Sequence, residues 1–298
     1  MSDAASELPR ILAVAEAQRP DPAGWSLAVN LDWLERSYFG PGVSRRLDAL
    51  PTGEVGGCAS VRSALPHEPG AVIVTSMLRP GSENLWPAQL EWIEAQIEEA
   101  GAATVRIVSE CLSDAEVFRW AAAGFTLVFE ELAMERDQAD ANAPPAAPWP
   151  EGTTIVDWGG AAAEASFAAY EAAFRERPGF PGWSRSQWID ALTGDADFLP
   201  EASLCVLRDG VPAGFVVCRT GWIDQVGVVP AHRRLGLASA MVTEATTRMR
   251  TLGIGVARLH VNTNNPGALA TWRRLGWRES GRRGRFERAV TPRAEKTI

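Results

Sequence analysis

The feature that most constrains this chain is that it repeats itself. Set 152 positions ahead, the segment IEEAGAATVRI (Ile97 to Ile107) lies on MRTLGIGVARL (Met249 to Leu259) without a gap. The register continues unbroken: Gly101 falls on Gly253, Arg106 on Arg258, Trp120 on Trp272, Gly124 on Gly276 and Phe125 on Trp277. Identity is sparse, yet the order helix, glycine, strand, helix, glycine-aromatic is kept, as when one supersecondary plan is used twice. A chain of 298 residues accommodates two domains of ordinary size. The break falls in DQADANAPPAAPWPEG (Asp137 to Gly152), which is rich in alanine and proline and has little hydrophobic period. The expected organisation is a first domain over residues 1–137, a linker over 138–152 and a second domain over 153–298.

Within each half, strands alternate with helices. Apolar strands predicted over 71–78 and 222–229 lead into helices over 86–100 and 237–252. Strands over 104–108 and 257–261 follow, then helices near 115–123 and 267–275, and a last strand over 126–134 in the first half. Segments 203–208 and 213–219 flank Asp209-Gly210, a hairpin turn signal. The pattern predicts the α/β class, with a mixed twisted sheet flanked by helices in each half.

Hydrophobic residues make up 46% of the chain and charged residues 22%, enough for a normal core in each half. A net charge of −8 argues against a general nucleic-acid binder, which needs a basic surface to neutralise phosphates. Arginines nevertheless gather after position 232 (Arg233, Arg234, Arg248, Arg250, Arg258, Arg273, Arg274 and Arg278), and a local basic patch suits a small phosphorylated ligand. The four cysteines are far apart and form no C-x-x-C spacing, so neither a metal site nor a disulfide framework is expected. No segment approaches membrane-spanning length, and Met1 to Arg19 lacks the form of a leader. These readings lead us to expect a cytoplasmic protein, monomer or homodimer, with no membrane partner.

The sharpest chemistry lies in VVPAHRRLGLA (Val228 to Ala238). A strand ends at Pro230, a basic turn follows, and a helix opens near Leu237. Free N–H groups at a helix start, together with the positive end of its dipole, make an anion site. Gly236 and Ala238 keep side chains away, so a pyrophosphate approaches the main chain, and Arg233 and Arg234 add charge-assisted hydrogen bonds.

This segment resembles the signature of the GNAT acyltransferase superfamily, Arg/Gln-x-x-Gly-x-Gly/Ala after a strand ending in Val-x-Pro. A second signature stands at the expected distance: VNTNNPGALATWRRLGW (Val261 to Trp277) is similar to the family's strand end, Asn, two residues, Ala, then an aromatic and Gly-Phe. The resemblance covers roughly residues 155–287. It implies two tandem GNAT-like domains, with acetyl-CoA as co-substrate and a small amine as acceptor. It places the cofactor on Val226, Val228, Arg233, Arg234, Leu235, Gly236, Leu237, Ala238, Asn265, Ala268 and Trp272. A backbone N–H near Val226 to Val228 would polarise the thioester carbonyl.

One departure matters. Many relatives carry a tyrosine where this chain has Trp272, and that tyrosine is proposed to protonate the leaving thiolate. An indole N–H is too weak an acid for this. Either water supplies the proton or another side chain does, and two roles fit His260: that acid, or a structural histidine. Asp224 stands where many relatives carry an acidic residue. Alternation would put it on one face with Val226 and Val228, at the mouth of an apolar cleft, as a base for the acceptor amine. It also reads as an ordinary strand-end aspartate. Glu244, in mid-helix, is expected to be solvated.

The first half departs further. Opposite the loop it has RPGSENLW (Arg79 to Trp86), with Asn84 in place of Gly236, Trp86 in place of Ala238 and Glu83 repelling phosphate. A degenerate first site follows. A tandem plan with a degraded first half is similar to the mycothiol synthases, which acetylate an amino-sugar-linked cysteine. A non-catalytic acyl-CoA-binding scaffold is the reading from another class. The loop over Arg175 to Trp183 is the candidate acceptor wall, its aromatics serving either to stack on an acceptor or to anchor the loop in the core.

Overall fold

A computed structural model describes residues 4–18, 31–64, 70–140, 148–177 and 180–290. Residues 141–147 of the linker expected over 138–152, together with Pro178 and Gly179 of the acceptor-wall loop, lie outside them. In chain order the elements of the first half are α1 (Ala4–Ala17), α2 (Leu31–Phe39), β1 (Ser44–Ala49), β2 (Val55–Ser63), β3 (Ala71–Leu78), α3 (Trp86–Glu99), β4 (Thr104–Ser109), α4 (Asp114–Ala122) and β5 (Thr126–Asp137). The second half has β6 (Thr153–Asp157), α5 (Gly160–Phe174), α6 (Arg185–Thr193), β7 (Leu204–Arg208), β8 (Val211–Arg219), β9 (Trp222–Val228), α7 (Leu237–Thr251), β10 (Val256–Asn262), α8 (Pro266–Arg274) and β11 (Arg278–Ala289). The repeat is visible in these bounds: α4 and α8, and likewise β5 and β11, lie 152 positions apart and match in length. The expected hairpin is formed, with Asp209 and Gly210 both at positive φ (52° and 80°) between β7 and β8.

The two compact units do not divide where the composition does. One unit comprises residues 1–133 and 280–298, the other residues 134–279. The first unit has strand order β1-β2-β3-β4-β11-β5, with β3/β4 parallel and β1/β2, β2/β3 and β4/β11 antiparallel. The second runs β10-β9-β8-β7-β6, with β9/β10 parallel and the other three pairs antiparallel; the last residues of β5, Met134 to Asp137, belong to it and β5 neighbours β10. The chain's final strand is thus built into the first unit. A boundary at 137–153 misses this because a linker's composition records where the chain is irregular, not where a strand docks.

What holds β11 in place is written in its charges. Arg282 pairs with Glu130 at 3.1 Å and Arg283 with Glu131 at 2.6 Å, each partner 152 residues away, so equivalent positions of the repeat meet with opposite sign. Arg106 of β4 bonds Glu287 at 3.1 Å, and Arg288 reaches Glu94 of α3 at 2.7 Å. Phe286 is wholly buried in the first unit's core with Ile93, Val105, Ile107, Trp120 and Phe125, its ring 6.4 Å from that of Trp120. Phe286→Ala should therefore destabilise the first unit by about 3–5 kcal/mol, the usual cost of emptying a buried phenyl site. Urea unfolding followed by tryptophan fluorescence will show the lowered midpoint.

Candidate functional site

In the second unit β9 and β10 pair over two positions only, Trp222 with Arg258 and Ile223 with Leu259. Beyond them the strands part, β9 continuing along β8 as far as Val228. Val226 and Val228 pair with Val216 and Gly214 of β8, so the opposite edge of β9 is turned to the fork. Alternate peptide groups of that edge point away from β8, which gives the fork a row of main-chain donors and acceptors.

The fork's first residues are Asp224 and His260. His260 lies against Trp222, ring centroids 4.8 Å apart at 32°. Asp224 is the one residue of β9 without a register partner, because Gln225 faces Val217 while Ile223 faces Cys218. This bulge breaks the expected alternation of Asp224 with Val226 and Val228, and bulges re-aim side chains. Nor does Asp224 stand alone in an apolar mouth. Arg219 Nε lies 3.4 Å from one carboxylate oxygen, and Gln225 Nε2 donates to the other at 3.3 Å. Gln225 Oε1 in turn accepts from Trp188 Nε1 at 3.2 Å, and Arg219 also pairs with Asp195. Beneath it, burial and then the Asp224 carboxylate push the Cys218 thiol well above its ordinary range. Gln225, Trp188, Arg219 and Asp195 carry no sequence signal of this role, since neither the bulge nor the partners can be inferred from strand period.

At the far end of β9 a short turn, Pro230–His232, leads into the loop. Arg234 sits at φ 66° and Gly236, the residue that caps α7, at φ 86°. The start of α7 has no side-chain cap, and the first helical bond runs from Ala240 N–H to Gly236 O at 3.1 Å. By contrast α4, α6 and α8 are capped by Ser113, Ser184 and Asn265. The N–H groups of Leu237, Ala238 and Ser239 therefore have no helical acceptor, and a Cβ placed on Gly236 would meet nothing within 4 Å. Gly236 is required twice, by its backbone angle and by the room it leaves.

Arg233 folds back, donating to Val228 O and Ala173 O at 3.2 Å each, and so fastens the loop. Arg234 and Leu235 are exposed. Asn265 spends its side-chain oxygen on the Ala268 N–H at 3.1 Å, as the cap of α8. Trp272 is buried in its unit, 4% exposed. Glu244 bonds Arg248 at 2.8 Å. In the acceptor-wall loop Phe180 packs into the aromatic cluster of Tyr170, Trp188 and Phe215, whereas Trp183 is 43% exposed.

The first unit has the same fork, β3 and β4 pairing through Val74 and Ile107 and then parting around a cavity lined by Thr75, Ser76, Met77, Val108, Ser109 and Glu110, but different side chains stand at its loop and helix starts. Trp86, in the place of Ala238, stacks edge-on to Trp120 at 4.8 Å. The Gly81 N–H donates to the Glu83 carboxylate at 3.1 Å, and backbone donors hold that carboxyl below its ordinary range. In the place of Ala268 stands Glu116, buried, accepting from Ser109 Oγ at 2.9 Å and Trp120 Nε1 at 3.4 Å. Among the described residues no group of three or more His, Cys, Asp or Glu is placed to hold a metal ion, and no helix is long and apolar enough to cross a membrane.

The fork, the left-handed loop and the uncapped helix all lie within residues 166–277, which match the Acetyltransferase (GNAT) family. These features thus fall in the part of the chain that is similar to GNAT acetyltransferases. A similar sequence is an uncharacterised N-acetyltransferase of Methanocaldococcus jannaschii, 27% identical over 110 residues that span 33% of this chain and 46% of that protein. The chain thus spans less than half the length of this relative. In fold it is similar to a GCN5-related N-acetyltransferase from Sphaerobacter thermophilus, with a TM-score of 0.75 and 23% identity over 98% of this chain and 95% of the other. A tandem GNAT protein from the clavulanic acid biosynthesis pathway superposes with a TM-score of 0.63 and 14% identity, covering 98% and 97%.

Burial raises the Glu116 carboxyl from 4.5 to about 7. A carboxyl with a raised folded-state value binds its proton more tightly in the native state. Its stabilising contribution is complete below about pH 4.5 and is lost as pH rises through about 7. Glu116→Gln should remove that slope and make the protein more stable at pH 8, by at most about 3 kcal/mol. Thermal unfolding of both proteins across this pH range will show it.

Proposed function

We propose that the chain is an acetyl-CoA-dependent N-acetyltransferase whose one productive site lies in the second unit and whose acceptor is a small-molecule amine. The observation that carries this reading is the pairing of the fork with the uncapped, glycine-started helix, a main-chain anion site with open space beside it. Leu237, Ala238 and Ser239 would hold the pyrophosphate on their N–H groups, with Arg234 exposed beside them and Arg233 fixing the loop. Acetyl-CoA supplies the activated acetyl group. A peptide N–H on the open edge of β9, near Val226 to Val228, would polarise the thioester carbonyl.

Attack requires a neutral amine, so a proton must leave it, directly or through water. Asp224, at the fork and 22% exposed, is the acceptor we assign. His260, on the opposite strand of the fork, is the assigned donor to the leaving thiolate in place of a tyrosine at Trp272. Because Glu83, Trp86 and Glu116 stand in the corresponding places of the first unit, we assign that unit a non-binding role.

Calorimetry with acetyl-CoA should give one site per chain. Gly236→Val should abolish binding while the melting temperature falls only modestly. Two sites, or undiminished affinity in that variant, would refute the assignment. Asp224→Asn should leave CoA affinity intact and lower kcat by about 10²–10⁴-fold, with the loss shrinking as pH rises and more amine is already neutral. Normal turnover in Asp224→Asn would remove the residue from the mechanism.

A further inference from the structure

Asp224 is the bulged residue of β9, so strand geometry alone does not aim its carboxylate. Two side chains do. Arg219 holds one oxygen and is itself held by Asp195, while Gln225 holds the other. A glutamine amide has an accepting and a donating end, and which end faces a neighbour depends on what else it meets. Here the other neighbour is Trp188, whose indole N–H only donates. It must therefore face Gln225 Oε1, and this turns Nε2 toward Asp224, where an acceptor stands at 3.3 Å.

Trp188 cannot turn to offer anything else. It is wholly buried, stacked on Tyr170 at 5.0 Å and 25°, and meets the edge of Phe215 at 6.0 Å. Its helix is fixed at the start by a capping box of Ser184 and Gln187. The orientation of the carboxylate thus originates in a rigid aromatic cluster beneath α5 and α6 and reaches the fork through one amide.

We propose that Gln225 is a positioning residue for the reaction, a donor locked by Trp188 that sets the direction of the Asp224 carboxylate. This rests on Asp224 being the proton acceptor. Two substitutions at different links should then act alike. Gln225→Leu removes the donor, and Trp188→Phe frees the amide to flip and offer its oxygen to the carboxylate.

The experiment measures thiol release from acetyl-CoA by the full chain, to water and to a panel of small amines, together with the Trp188 indole N–H resonance. Gln225→Leu and Trp188→Phe should each lower kcat about tenfold with KM for acetyl-CoA unchanged, a misplacement effect of ordinary size. Neither should lower kcat further in the Asp224→Asn background, because linked residues do not add. The Trp188 indole signal should also move in Asp224→Asn, two links away. Unchanged kcat in Gln225→Leu, full additivity, or a stationary indole signal in Asp224→Asn would each overturn the proposal. If Asp224→Asn turns over normally, or thiol release is absent throughout, it is the functional reading that fails. The indole signal then still decides whether the chain of contacts exists.

Discussion

The pairing of β5 with β11 is the contact on which the first unit rests. Carboxylates of one strand meet guanidinium groups of the other at positions that correspond in the repeat, Glu130 with Arg282 and Glu131 with Arg283. Two copies of the same strand would set like charges against each other, and like charges directly opposite are unfavourable. Giving the copies opposite sign makes each the better partner of the other than of itself. Once β11 is seated, Phe286 closes the core over Trp120, and Glu287 and Arg288 fasten the strand to β4 and α3.

The two units then show one plan carrying different side chains at its loop and helix starts. In both, parallel strands part after a few pairs. In the second unit small residues stand where the helices begin, so the main chain stays accessible at Gly236 and Ala238. In the first, Glu83, Trp86 and Glu116 stand in the places of Leu235, Ala238 and Ala268: the Glu83 carboxylate accepts from the Gly81 N–H, Trp86 packs edge-on to Trp120, and buried Glu116 accepts from the Ser109 hydroxyl and the Trp120 indole.

Much of this was legible in the sequence, for physical reasons. Glycine at 236 carries information because few other residues take its backbone angle, so the loop and the helix start could be placed to within a residue. The repeat gave the element order. Side-chain direction was not legible. Arg233 reads as a phosphate ligand, yet satisfies two carbonyls, one of them on a helix 60 residues earlier. Asp224 reads as a member of an alternating strand, yet occupies a bulge that only the register with β8 reveals. The destination of β11 was hidden for the same reason, since a strand's neighbours depend on the whole sheet. Its excess of arginine against the acidic β5 was the available clue.

The place of β11 also has a consequence for biosynthesis. A ribosome delivers the chain from its N-terminus, and domains ordinarily fold as they emerge. Here the central β4 must hold an open edge while some 170 further residues are made, until Gly284 to Ala289 arrive to pair with it. During that interval an unpaired strand edge is exposed, the condition under which nascent chains join the wrong neighbour. The second unit, whose β10 neighbours the earlier β5, has its strands in hand sooner. The order of synthesis and the order of completion are therefore reversed: the half translated first is finished last.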